Sequence, residues 1–173
     1  MPAEDRLIIR SEKAADVEAI FSLTAAAFQC HPHSLQTEQF IVDALREAGV
    51  LSLSLVAEQK GVVIGHLAFS PVGIADGSPD WYGLGPVSVL PTCQGRGVGT
   101  ALIAEGLTRL QADGAHGCVV LGEPAYYGRF GFTHQPALVL DGVPPDYFLA
   151  LPFGAHLAQG VVHYHAAFAA RRL

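Results

Sequence analysis

A chain of 173 residues, half of them apolar and 15% charged, is long enough to bury a core without metals or disulfides and lies far from a disordered composition. Its formal charge of -6, with eight arginines, only Lys13 and Lys60 as lysines, and no basic block, argues against nucleic acid as a partner. Three cysteines, Cys30, Cys93 and Cys118, an odd number with no metal-like Cys-x-x-Cys pairing, suggest reduced thiols.

In chain order, residues 7–10 read as a short strand. Asp16 caps or charges the first turn of a helix reaching Phe28, with Val17, Ile20, Phe21, Ala25 and Phe28 at helical spacing. Cys30-His31-Pro32-His33 breaks it. A second helix is expected over residues 34–48, with Phe40, Ile41, Ala44 and Leu45 on one face and Gly49 as its stop. Leu51, Leu53 and Leu55 alternate with serines, Gln59-Lys60-Gly61 is a turn signal, and residues 62–70 complete a hairpin. Residues 71–80, rich in Pro, Gly and Asp, read as a loop, and residues 81–90 as strand. From Val98 the residues Leu102, Ile103, Gly106, Leu107 and Leu110 give one apolar helix face, ended by Asp113-Gly114. Residues 118–121 form the continuous apolar run of a strand buried on both faces.

Pro124 opens a short helix to Phe130, stopped by Gly131. Strand-like residues follow Phe132, residues 143–146 are irregular, and residues 160–164 are a last strand. No repeat, low-complexity tract or linker divides the chain, so residues 1–173 read as one domain. The N-terminus lacks a signal-peptide pattern, and no apolar run approaches the ~18 residues of a membrane span. The expectation is a soluble, cytoplasmic protein without a membrane partner.

The most informative stretch is residues 84–106. A strand enters Gln94-Gly95-Arg96-Gly97-Val98-Gly99-Thr100, and the loop opens directly into a helix. Glycines let backbone approach a ligand, and the first N–H groups of a helix form an anion site suited to phosphate. A Walker loop is excluded because no lysine lies in the loop or the helix after it. A dinucleotide fingerprint fits poorly: the spacing is Gly-x-Gly-x-Gly, and Asp113 precedes the next strand instead of closing it.

The remaining pattern, Gln-x-x-Gly-x-Gly at Gln94, Gly97 and Gly99, resembles the acyl-CoA loop of the GCN5-related N-acetyltransferase (GNAT) superfamily. Tyr127-Gly128-Arg129-Phe130-Gly131-Phe132 resembles its Tyr-x-x-x-Gly-Phe segment. The wider stretch from Leu121, with Tyr164-His165-x-x-Phe168, is similar to a bacterial subgroup of predicted N-acetyltransferases. The resemblance implies an α/β fold of the α+β type: a mixed, mostly antiparallel sheet of six or seven strands, about four helices, and a central parallel pair splayed to hold acyl-CoA.

It also implies a reaction, attack of a primary amine on the thioester of acetyl-CoA, its co-substrate. The backbone of residues 94–100 would take the pyrophosphate, with Gly95 and Val98 among its N–H donors and Arg96 adding charge. Strand-edge groups at Val87 and Val89 would take the pantetheine arm. Tyr127 would be general acid to the departing thiolate, although as sequence alone Tyr126 and Tyr127 read equally as packing. Glu123 is a candidate base where many relatives carry Asn, with His66 and His134 as others. Residues 71–80 and the helix 35–49 are acceptor walls by analogy. Neither Cys30-His31-Pro32-His33 nor His163 with His165 supplies a full ligand set, so no metal is expected. The alternative function is a catalytically silent CoA-binding sensor. The amine and the oligomeric state, monomer or homodimer, stay open.

Overall fold

The computed structural model describes residues 3–171. Their nine strands belong to a mixed, mostly antiparallel sheet. The chain divides into two compact units, one of residues through Phe69, Gly85–Leu107 and residues from Ala166, the other of Ser70–Leu84 and Thr108–His165.

In the first unit, β1 (Ile8–Ser11) pairs antiparallel with β2 (Leu53–Gln59), and β2 with the first part of β3 (Val62–Ile74). The β2–β3 turn has Lys60 and Gly61 at φ 52° and 74°, the left-handed pair that matches a hairpin's twist. Two helices, α1 (Val17–Phe28) and α2 (Glu38–Glu47), separate β1 from β2. Ile20 of α1 and Val42 of α2 pack on Val56 of β2, and Ile41 and Leu45 pack with Ala167. The end of α2 is closed by Val50 N–H to Leu45 C=O and Gly49 N–H to Arg46 C=O, with Gly49 at φ 71°.

Two expectations shift here. The second helix starts at Glu38 rather than residue 34, because the Ser34 hydroxyl donates to Glu38 and accepts the Gln36 N–H, and Gln36 sits at φ 61°. Asp16 does not cap α1; its carboxylate turns back to the Lys13 N–H at 2.7 Å and to Arg10 at 2.7 Å. The Arg10 bond, helped by the Lys13 N–H, holds the Asp16 carboxyl down at about 2.

In the second unit, the first residues of β4 (Trp81–Val89) run parallel to β5 (Gly117–Leu121), in register Trp81 with Gly117 through Gly83 with Val119. The parallel ladder stops there, just before Gly85 at φ 128°. α3 (Val98–Ala112) ends with Gly114 N–H to Gln111 C=O and Ala115 N–H to Leu110 C=O, as its Asp-Gly stop foretells. Beyond β5 come α4 (Pro124–Tyr127) and a 3-10 turn (Gly128–Phe130), then β6 (Thr133–His134) and β7 (Leu138–Val139). β8 (Phe148–Pro152) pairs antiparallel with both β5 and β6, and β9 (Gly160–Tyr164) pairs with β7 and with the end of β3. Trp81, Val119, Phe148, Ala150 and Val162 form part of this unit's core.

The sheet has more strands than the six or seven expected. β8 went unread as a strand, and β6 and β7 are two residues each. Residues 71–74 are strand rather than loop, because Val72, Gly73 and Ile74 pair with Tyr164, His163 and Val162, some ninety positions on. Pro71, which has no N–H to give a ladder, falls between the last β2 partner of β3 and its first β9 partner.

Candidate active site

The glycine loop is held at both ends within the first unit. On the helix side, a Cβ placed on Gly65 would meet Leu102 and Val98 at 3.0 Å, and one on Gly106 would meet Phe69 at 2.6 Å and Leu67 at 2.9 Å. Val98, Leu102 and Gly106, spaced by four along α3, therefore lie against Gly65, Leu67 and Phe69, which share one face of β3. On the strand side, the Gln94 side-chain amide donates to the Val89 C=O at 3.1 Å.

Between these anchors, Gly95 and Gly97 take φ 76° and 81°, and nothing stands within 4 Å of where their Cβ atoms would be. Glycine is required at both for the turn's left-handed backbone and leaves their outer side open. Near the start of α3, Ala101 N–H bonds Gly97 C=O at 3.0 Å, so the N–H groups of Val98 and Gly99 precede the i→i−4 ladder. Gln94, Gly95, Arg96, Gly97 and Thr100 are exposed, Gly99 is half-buried, and Val98 is the buried anchor. This is an open backbone cradle at a helix start, with one guanidinium beside it.

Val87 and Val89 are half-buried on one face of β4, with Pro86 and Ser88 buried on the other. Leu90 donates its N–H to Ile64 C=O of β3 at 2.9 Å. By the alternation of an antiparallel ladder, the N–H of Val89 then turns away from β3.

Tyr127 belongs to the second unit, at the end of α4. Its ring stands edge-on to Tyr126 and to Phe132, with centroids 5.0 Å and 6.0 Å away. Burial, with lesser contributions from Tyr126 and Cys118, pushes its hydroxyl up to about 12, so the phenol is protonated at neutral pH. Glu123 precedes α4, its C=O accepting the N–H groups of Tyr126 and Tyr127 at 3.1 Å and 3.0 Å; its side chain is exposed and makes no bond to the helix's first turn.

The histidines divide. His134 is exposed on β6. His66 is fully buried, its Nε2 2.7 Å from the Ser54 hydroxyl, which also bonds the Glu12 carboxylate. Burial drives the His66 imidazole down to about 4, so its 3.9 Å approach to Glu12 is no ion pair at neutral pH. Glu12 loses some acidity to burial, but bonds from Arg46 and Ser54 hold it below the usual carboxylate range. Ser54 has one proton and Glu12, as carboxylate, only accepts; His66 Nε2 therefore carries the hydrogen toward Ser54, and the bare nitrogen is Nδ1. His66 is thus sealed in the first unit's interior and offers no exposed base. Glu12 and Ser54 carried no sequence signal. They are brought together by β1–β2 pairing, Glu12 N–H bonding Ser54 C=O at 3.0 Å.

Two surface hollows of the first unit, one along Glu12, Arg46 and Ser54 and one along Asp5, Glu58 and Lys60, include no residue of the loop 94–100. An elongated cofactor laid on open backbone needs no deep concavity. Among the described residues, no group of three or more His, Cys, Asp or Glu is placed to hold a metal ion.

The model of the acetyltransferase (GNAT) domain family matches residues 8–135. The chain belongs to the GNAT acetyltransferase family. It is 39% identical over 127 residues to the "Uncharacterized N-acetyltransferase YhbS" of Escherichia coli strain K12, covering 73% of each chain. The crystal structure of a GNAT family acetyltransferase from Brucella melitensis in complex with acetyl-CoA is 51% identical, covers 95% of this chain and 99% of that one, and superposes with a TM-score of 0.85. YhbS from Escherichia coli in complex with CoA is 34% identical, with 100% of this chain and 97% of that one covered and a TM-score of 0.88. The GNAT fold, a parallel strand pair within a mostly antiparallel sheet, is the fold of this chain. No helix among the described residues is long and apolar enough to cross a membrane.

Proposed function

We propose that the protein is an acetyl-CoA-dependent N-acetyltransferase that acetylates a primary amine by direct attack on the thioester, with residues 1–173 acting as one acetyltransferase domain. The observation that carries this reading is the Gln94–Thr100 cradle, with Gly95 and Gly97 in left-handed backbone at the start of α3, in a chain of the GNAT family. The acetyl-CoA and CoA held by the Brucella and Escherichia relatives support the choice of donor.

In this reading, backbone N–H groups of residues 94–100 bind the pyrophosphate, with Arg96 adding positive charge. Strand groups of Val87 and Val89 hold the pantetheine, and the Val89 N–H, turned away from β3, polarises the thioester carbonyl. Glu123 removes a proton from the ammonium, directly or through water. The free amine attacks the carbonyl carbon; a C–N bond forms, the new amide nitrogen gives up its extra proton to solvent, the C–S bond breaks, and the thiolate takes its proton from the Tyr127 hydroxyl. The phenolate is reprotonated from solvent. A phenol held near 12 is a weak acid, but desolvation raises a thiol's pKa in the same direction, so donor and acceptor stay close enough for transfer.

The acceptor is a primary amine of unassigned class. We place the protein in the cytoplasm, a location that suits the exposed free thiol of Cys30. Incubation of the pure protein with acetyl-CoA and a panel of polyamines, aminoglycosides and peptide amines, followed by thiol release, tests the reading. CoA binding with no turnover on any amine would favour a silent sensor, and failure to bind CoA at millimolar concentration would overturn both.

A further inference from the structure

We infer that Gly122 is a positioning residue for Tyr127: the absence of a side chain at Gly122 is what seats the phenol. This inference rests on the reading of Tyr127 as general acid, and it concerns the second unit alone. A Cβ on Gly122 would meet Tyr127 Cε2 at 2.3 Å, Cδ2 at 2.8 Å and Cζ, the carbon bearing the hydroxyl, at 3.3 Å. The tyrosine ring therefore rests on the glycine backbone, with Phe132 and Tyr126 edge-on at 6.0 Å and 5.0 Å.

Neither partner has slack. Gly122 N–H donates to Tyr147 C=O at 2.9 Å, extending the β5–β8 ladder one residue past the Leu121–Phe148 pair. Tyr127 N–H is bound to Glu123 C=O at 3.0 Å, one residue beyond Gly122. Backbone at both ends of this seat is tied down, so an added methyl displaces the ring and carries the hydroxyl with it. Gly122 has no positive φ, so alanine suits its backbone and the ring alone registers the change. Displacement of a catalytic group by roughly an ångström costs on the order of 100-fold in rate.

The test compares Gly122→Ala with Gly128→Ala, since nothing lies within 4 Å of a Cβ on Gly128. Steady-state kcat, KM for acetyl-CoA and CoA binding by calorimetry are measured for each, and again in a Tyr127→Phe background. The expected result is a kcat for Gly122→Ala lower by about 10- to 100-fold with CoA affinity kept, Gly128→Ala near wild type, and no further loss when Gly122→Ala is added to Tyr127→Phe. Wild-type kcat in Gly122→Ala, or a loss that repeats in full in the Tyr127→Phe background, overturns the inference. If Gly122→Ala does not fold, Phe132→Leu, which removes the ring's edge-on neighbour, is read the same way: lowered kcat supports the seat and unchanged kcat overturns it. Wild-type turnover in Tyr127→Phe alone marks failure of the general-acid reading itself, before the seat is in question.

Discussion

Gln94 donates its side-chain amide to the carbonyl of Val89 at 3.1 Å, joining the first residue of the glycine loop to the last residue of β4. The bond stiffens the turn whose N–H groups are assigned to the pyrophosphate, and it leaves the Val89 N–H to a ligand. Gln94→Ala removes it. CoA affinity is expected to fall by about fivefold, the worth of one net hydrogen bond near 1 kcal/mol, with calorimetry as the measure.

Gly97→Ala acts on the same loop by a different route. At φ 81° an alanine pays a left-handed backbone cost of about 1–2 kcal/mol, although no atom stands in its way. CoA binding is expected to weaken by about tenfold or more, with the melting temperature falling by only a few degrees.

These loop residues were the most legible part of the chain, because a strand, Gln-x-x-Gly-x-Gly and a helix onset follow one another without interruption. Elements defined by neighbours in sequence, such as the Lys60-Gly61 hairpin turn and the Gly49 and Gly114 helix stops, were equally plain. Pairings between distant segments were not. Residues 71–74 carry proline and glycine and read as loop until β9 supplies their partners, and β8 follows two prolines that suggest only irregular chain. For the site, the sequence singled out Tyr127 by resemblance but gave no reason to single out Gly122, since its contact is with a ring five residues on that only the turn into α4 brings back.

Buried His66 makes stability depend on pH. The unfolded chain's imidazole takes up a proton near pH 6.5, whereas the folded one resists until about pH 4. Between those values the unfolded state binds more protons, so the folded state loses stability as pH falls through that window, by about 3 kcal/mol in all. Urea unfolding of wild type and His66→Phe at pH 7.5 and pH 4.5 measures it. The wild type is expected to lose more stability on acidification than the variant, and equal losses would remove His66 as the cause.

Glycine also sets the packing of the second unit's core. A Cβ on Gly117 would meet the buried Trp81 ring at 2.4 Å, across the parallel ladder between β4 and β5. Gly117→Ala is expected to cost about 1–3 kcal/mol of stability by overpacking, read as a lower urea midpoint with an unchanged slope.

Glu123→Gln tests the assigned base. Turnover at neutral pH is expected to drop by about 100-fold and to recover as pH rises and the amine substrate becomes its own free base. A deficit that persists at high pH would assign Glu123 a structural role, and no deficit would release it from the mechanism.

The most direct measurement is turnover and CoA affinity of Tyr127→Phe on the amine identified by thiol release. The ring and its contacts with Tyr126, Phe132 and Gly122 are retained, and only the proton donor is removed. A kcat lower by about 100-fold with CoA affinity unchanged is the predicted result. Wild-type kcat in Tyr127→Phe would contradict the account, because the departing thiolate would then take its proton from elsewhere.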